Sequence, residues 1–393
     1  MKRIVCLFLM VLLLYTWVFA ELLPEDYIFE DDITVEATPS ESSMAPNCRA
    51  ALLMEASSGK ILFEKNIDEK LPIASVTKVM TLLLVMEAID SGALKLSDMV
   101  TVSEHAAGMG GSQAYMEPGE QMTVDNMLKA VVVSSANDGA VALGEHLAGS
   151  EAAFVDKMNE RARELGMSGT EFLNATGLDN AEVHYSTARD VAIMSRELIK
   201  HDKIFNYTTI WIDTIRDGKF GLSNTNKLIR FYPGANGLKT GSTSKAKFCI
   251  SATAKKDNMQ LIAVILGSPS SDDRFSTAKQ LFNYGFANYA VYSPPAEKLS
   301  PVKVSAGKKS ECPVGFEGTD SLLVLKGQES KVVREITMTQ KLFAPIDKGQ
   351  KVGKITYTLD GSVISEKDIV ALEPIERVGI GDIFMRILEK MLF

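Results

Sequence analysis

Ala74-Ser75-Val76-Thr77-Lys78, followed at once by the apolar run 79–89, is the stretch on which the reading of this chain turns. A lone serine is a weak nucleophile and needs a base within hydrogen-bond reach. A serine and a lysine three residues apart on a helix share one face, about one turn from each other. If the run is helical, the Lys78 amine therefore lies over the Ser75 hydroxyl. The start of a helix also leaves backbone N–H groups free, where a developing oxyanion could be held. The apolar character of residues 80–89 on nearly every side predicts a buried central helix, which would hold a nucleophile rigidly. By itself S-x-x-K equally fits a helix cap followed by a surface lysine.

Two further motifs follow in an order that favours the chemical reading. They are Ser135-Ala136-Asn137 and Lys239-Thr240-Gly241. S-x-x-K, S-x-N and K-T-G together form a set found in penicillin-recognising serine acyltransferases. The flanking residues 131–143 and 234–241 strengthen the match. From about residue 46 to 292, and more weakly to the C-terminus, the chain resembles the D-alanyl-D-alanine carboxypeptidases, the low-molecular-mass penicillin-binding proteins.

That resemblance implies a fold and a set of roles. The fold is an α/β (α+β) β-lactamase/transpeptidase-like catalytic domain, with an all-β C-terminal domain and a terminal amphipathic helix. Ser75 would be the nucleophile toward the carbonyl between two terminal D-alanines, and Lys78 its base. Lys239 would be the cation that lowers the lysine pKa, and with Thr240 it would face the substrate carboxylate. Gly241 would leave room for the acyl group. Ser135 would relay a proton to the leaving D-alanine, and Asn137 would hold the substrate amide. The N–H groups of Ser75 and Ser242 would form the oxyanion hole. The partners implied are a peptidoglycan stem peptide ending in D-Ala-D-Ala and β-lactam antibiotics, with no cofactor and no metal.

Composition agrees with an ordinary globular chain of 393 residues, 46% hydrophobic and 23% charged. Its net charge of -8 argues against nucleic acid as a partner. Of four cysteines, Cys6 lies in the leader, and the remaining three show no paired spacing. The four histidines, His105, His146, His184 and His201, form no metal-binding pattern; His184 reads as structural.

Lys2-Arg3, the apolar residues 4–14 and Val18-Phe19-Ala20 read as an export signal over residues 1–20. An uncleaved anchor is the alternative. Residues 21–45 are acidic and Ser/Pro-containing, and read as a flexible linker. Strands are expected at 50–56 and 61–64, with helices at 124–133, 138–147, 154–165 and 276–284. The Lys239 motif is expected at the start of a strand, and 260–266 reads as an apolar strand. Ser293-Pro294-Pro295 marks a boundary, after which β-branched runs at 322–325, 332–338 and 352–357 give a small all-β domain over 297–372. Residues 376–393 place Ile383, Phe384, Ile387, Leu388, Met391 and Leu392 on one side of a helix, which suits a membrane interface. The chain would then act on the outer face of the cytoplasmic membrane, in the cell-wall space.

Two alternatives stay open. A serine β-lactamase shares the three motifs, but its commonest class deacylates with a glutamate four residues before an asparagine. Here Thr170 holds that position before Asn174, and Glu171 falls one residue late. A non-catalytic wall-binding protein of the same fold would have lost the serine or the lysine. One departure from the family pattern stands out: a small Ala-Gly pair usually follows the K-T-G segment, where this chain has Ala246-Lys247.

Overall fold

A computed structural model describes residues 44–45, 47–178, 184–295, 299–316 and 321–382. The leader, most of the acidic linker and residues 383–393, where most of the terminal amphipathic helix is expected, lie outside the described residues. Among those described, no helix is long and apolar enough to cross a membrane.

The catalytic part is built on a five-stranded antiparallel sheet. In chain order its strands are β1 (Ala50–Glu55) and β2 (Ile61–Lys65), then β3 (Ala235–Thr243), β4 (Lys247–Lys256) and β5 (Met259–Ser268). They pair in the order β2-β1-β5-β4-β3, so the two ends of this region meet in one sheet. Both faces are covered, and the period-2 alternation of strand side chains shows why. Leu52, Met54, Ile262 and Val264 face one hydrophobic cluster, and Leu53, Leu261, Ala263 and Ile265 face the other.

The first cluster holds α1 (Lys78–Asp90), α2 (Val124–Val133), α3 (Asn137–Ala148), α4 (Glu151–Glu164) and α5 (Ala188–Leu198). Helix α1 is its axis: Lys78 to Leu83, Val85, Met86 and Ile89 are all buried. The second cluster packs under α6 (Ser271–Asn288), which begins five residues earlier than the apolar pattern suggests. The Ser270 side chain accepts from Asp273 N and so caps that extra turn.

Between residues 299 and 378 the described chain is strands and their connections with one short helical turn, Glu329–Lys331, and it has its own core around Val352, Ile355, Tyr357 and Ile369. A four-stranded sheet formed by Val314–Gly315, Ser362–Ala371, Lys351–Leu359 and Val332–Met338 carries most of that core. Strand Tyr289–Tyr292, on the near side of the Pro-Pro boundary, pairs with Leu322–Leu325 on the far side. The connection is thus hydrogen-bonded as well as covalent.

Two expectations need correcting. Lys239-Thr240-Gly241 lies in the middle of β3 rather than at its start. Ser75 is not on the α-helix; it sits in a single 3₁₀ turn, Ala74–Thr77, directly ahead of α1. A 3₁₀ turn eclipses residues i and i+3, so the Ser75–Lys78 pairing survives the change.

The departure at Lys247 also has a backbone explanation. Lys247 is exposed, opens β4 opposite Thr243, and has φ +57°. A side chain in the left-handed region costs ~1–2 kcal/mol, against ~0.5–1 kcal/mol of extra chain entropy for glycine. Lys247→Gly should therefore stabilise the protein by ~0.5 kcal/mol, raising its thermal midpoint by about 1–2 °C. A midpoint that falls would mean that the lysine contributes a contact outweighing this strain.

Candidate active site

Three segments converge on Ser75. The first is its own turn. Lys78 is fully buried, and its Nζ lies 3.0 Å from Ser75 Oγ, 2.5 Å from Asn137 Oδ1 and 2.9 Å from the Thr176 carbonyl. Two of these partners can only accept. As an ammonium, Nζ donates to all three; once neutral, it still donates to Asn137 and Thr176 and can turn its lone pair to the Ser75 hydroxyl. Burial first, and then the charge of Lys239, holds the Lys78 amine well below the usual lysine range, with Asp138 opposing.

The second segment is the joint between α2 and α3. Ser135 is almost fully buried with φ +65°, and Asn137 begins α3. Asn137 N donates to Ser112 O (2.7 Å), and its Nδ2 donates to Gly110 O (2.6 Å). The amide is thereby held with one Nδ2 hydrogen still to spend.

The third segment is β3. Lys239 is buried, and its Nζ donates to Thr240 O at 2.9 Å. Burial, and next the charge of Arg274, pushes its pKa down to about 7. Thr240 Oγ1 lies 2.7 Å from Thr225 Oγ1, and Thr225 N donates to Val133 O at 3.1 Å, tying β3 to the end of α2. The strand passes so close to the serine turn that a methyl on Gly241 would sit 2.8 Å from Ile73 O and Ser75 N. Glycine is required there by the backbone of the Ser75 turn, and not only by the acyl group that the family resemblance led us to expect. Ser242, next along the strand, is exposed.

Sequence reasoning missed four contributors. Thr176 acts through its carbonyl, and a backbone acceptor leaves no mark on residue type. Asp138 is fully buried and accepts from Ala114 N and Met116 N, bracing the loop that holds Asn137. Arg274 on α6 is also buried. Its Nη1 donates to Gly241 O (3.2 Å) and Cys249 O (3.1 Å), while its Nε has no partner. Burial lowers its pKa to about 10. The capped start of α6 was the signal that could have placed it. The last contributor is the link from His184 to the serine turn. His184 Nδ1 accepts from Leu173 N (3.1 Å), so Nε2 carries the proton and donates to Thr77 Oγ1 (2.8 Å). The structural role read for His184 thus has an address one residue before Lys78.

Glu171 and Thr170 stand apart from this cluster. Glu171 pairs by backbone with Tyr185, and Thr170 Oγ1 donates to Asp190. Among the described residues, the hydrogen-bond partners of Ser75 and Lys78 include no carboxylate.

Known proteins match the chain over most of its length. Residues 36–270 match the sequence model of the D-alanyl-D-alanine carboxypeptidases, and residues 289–377 match that of the penicillin-binding protein 5 C-terminal domain. D-alanyl-D-alanine carboxypeptidase DacF of Bacillus subtilis is 44% identical over 344 residues, covering 86% of this chain and 88% of that protein. Penicillin-binding protein 5 from Haemophilus influenzae superposes with a TM-score of 0.75 at 31% identity, over 84% of this chain and 98% of that one. Penicillin-binding protein D2 from Listeria monocytogenes, solved in its ampicillin-bound form, gives a TM-score of 0.54 at 33% identity, over 61% of this chain and 97% of that one.

Proposed function

The chain belongs to the D-alanyl-D-alanine carboxypeptidase family, and from that premise we propose that Ser75 is its nucleophile and Lys78 its base. The activity is serine-type removal of the terminal D-alanine from a D-Ala-D-Ala peptide. The observation that carries the residue assignment is the fully buried Lys78 Nζ at 3.0 Å from Ser75 Oγ, where burial favours the neutral amine.

The geometry supports the following course. Lys239 and Thr240 receive the substrate's terminal carboxylate, which restores a full charge on Lys239. The remaining Nδ2 hydrogen of Asn137 takes a carbonyl of the peptide upstream. Ser75 Oγ attacks the carbonyl between the D-alanines as its proton passes to Lys78. The oxyanion lies between the N–H groups of Ser75 and Ser242, donors of a kind commonly worth ~3 kcal/mol each. The proton then passes from Lys78 through Ser135 to the leaving amine, and D-alanine departs. Water then attacks the acyl carbonyl, its proton passing to the again-neutral Lys78. The ester bond to Ser75 Oγ breaks, Lys78 returns the proton to that oxygen, and the shortened peptide leaves. A β-lactam enters the same path because its amide occupies the scissile position.

Residues 46–292 are assigned to this chemistry, and 297–372 to a spacer that stabilises it. The apolar leader before Glu21 supports export, and the apolar stripe of 383–393 supports contact with a membrane surface in the cell-wall space.

Intact mass during hours of incubation with penicillin tests the assignment. A persistent adduct of one drug molecule is expected on the parent and not on Ser75→Ala, together with D-alanine release from a D-Ala-D-Ala peptide by the parent alone. Drug consumed without an adduct would make the chain a β-lactamase. Drug left intact without an adduct would make it a non-catalytic binding protein.

A further inference from the structure

We propose that Tyr115 is a specificity-determining residue, whose ring covers the side chain of the substrate residue immediately before the D-Ala-D-Ala pair. The proposal rests on the carboxypeptidase reading above and adds to it a substrate contact outside the three motifs.

Tyr115 is 71% exposed, yet its backbone is held on every side. The N–H groups of its two neighbours, Ala114 and Met116, both donate to the buried Asp138 carboxylate, at 3.0 and 3.1 Å. The carbonyls of Ala114 and Tyr115 both accept from Arg216, at 2.7 and 3.1 Å. Arg216 is itself fixed by two bonds to Glu120, of 2.7 and 2.9 Å. Within this frame Tyr115 takes φ +53°, a region that bulky residues rarely occupy. A loop that only needed to turn would place glycine or asparagine there. Instead a rigid mount displays a large ring to solvent. The ring meets Phe220 edge-on with centroids 6.3 Å apart, and Arg216 lies 5.3 Å over the Phe220 ring, so the display is shared by two segments.

The mount is continuous with the substrate-binding amide. Asp138 follows Asn137, and Asn137 N donates to Ser112 O, three residues before Tyr115. Three residues of chain reach at most about 11 Å, the length of roughly three extended peptide residues. The substrate's carboxylate end is taken by Lys239 and Thr240 on β3. The portion that passes from Asn137 toward the loop around Tyr115 is therefore the upstream portion. An aromatic face there suits a long aliphatic side chain, and its quadrupole also favours a terminal ammonium.

Two donors separate this role from a merely structural one: Nα,Nε-diacetyl-L-Lys-D-Ala-D-Ala, and N-acetyl-L-Ala-D-Ala-D-Ala, which lacks the long side chain. For Tyr115→Ala, the ratio of kcat/KM between the long and short donors should fall about tenfold. Tyr115→Phe should keep the parent ratio. An equal loss on both donors would reduce Tyr115 to a brace for Asn137, and an unchanged ratio without loss would leave it no role; either overturns the proposal. Failure of the parent to release D-alanine from either donor would instead sink the carboxypeptidase reading beneath it.

Discussion

Lys78→Met should fold and yet acylate with penicillin ~10³-fold more slowly than the parent. The side chains are close in length, so the buried channel along α1 stays filled. Methionine cannot take the Ser75 proton, and neutral serine is then left without a base. Stability should move little, because two effects oppose each other. The substitution leaves Asn137 Oδ1 and the Thr176 carbonyl without their lysine donor, at ~1–3 kcal/mol for a buried unsatisfied group. It also removes a fully buried amine whose protonation burial disfavours. The test pairs rapid-quench intact mass with a thermal melt. An acylation rate within tenfold of the parent, in a protein melting at the parent temperature, would show that another group takes the proton.

How much of this site can be read from residue letters depends on the kind of atom involved. The roles proposed for Ser75, Lys78, Asn137 and Lys239 are side-chain roles, and each residue lies in a short motif of fixed spacing. The i, i+3 relation between serine and lysine holds in a 3₁₀ turn as well as in an α-helix, so mistaking one for the other does no harm. Helix α2 was legible to its ends. Its N-cap Thr123 accepts from Asn126 N, and the helix ends at Ser134 just ahead of the S-x-N joint. The sheet order was not legible from patterning. Nothing in β1 or β5 alone says that strands from opposite ends of the region pair; the fold class came only through the family resemblance. Arg274 was missed for a related reason, although the Ser270 cap could have put it on α6. A cation on a half-apolar helix reads as a solvated face until the fold turns it toward Gly241 and Cys249.

The same distinction separates the loop 174–178 from the motifs. It can be recognised as a turn, but its purpose is carried by carbonyls. Lys78 donates to Thr176 O, and Thr81 Oγ1 donates to Ala175 O at 2.7 Å. Asn174 wires the loop internally, its Oδ1 accepting from Gly177 N at 2.7 Å and Thr176 N at 3.1 Å. The loop is thus a shaped backbone surface pressed against the serine turn, and its tightest point is a glycine.

Gly177→Ala is the substitution that exposes this. Gly177 has φ +76°, and a methyl there would fall 1.8 Å from the Ala74 carbonyl oxygen and 2.6 Å from Thr77 Oγ1. No rotamer relieves such an overlap, because the obstacle is the backbone one residue before Ser75. Either the loop lifts, taking the Thr176 acceptor away from Lys78, or the serine turn shifts relative to Gly241. A displacement of about 1 Å at the reacting atoms can cost ~10²-fold in rate. The acylation rate should fall by at least that factor, and stability by ~3 kcal/mol, a large but not exceptional figure for one residue. Gly149 supplies the control. It has φ +85° at the end of α3, with nothing within 4 Å of an added methyl. Gly149→Ala therefore isolates the cost of a left-handed alanine, ~1 kcal/mol, and should leave acylation at the parent rate. The excess loss in Gly177→Ala over Gly149→Ala measures the contact between the loop and the serine turn. Equal losses of stability in the two variants, with acylation intact in both, would mean that the loop does not bear on Ser75, and the positioning attributed to Thr176 would fall with it.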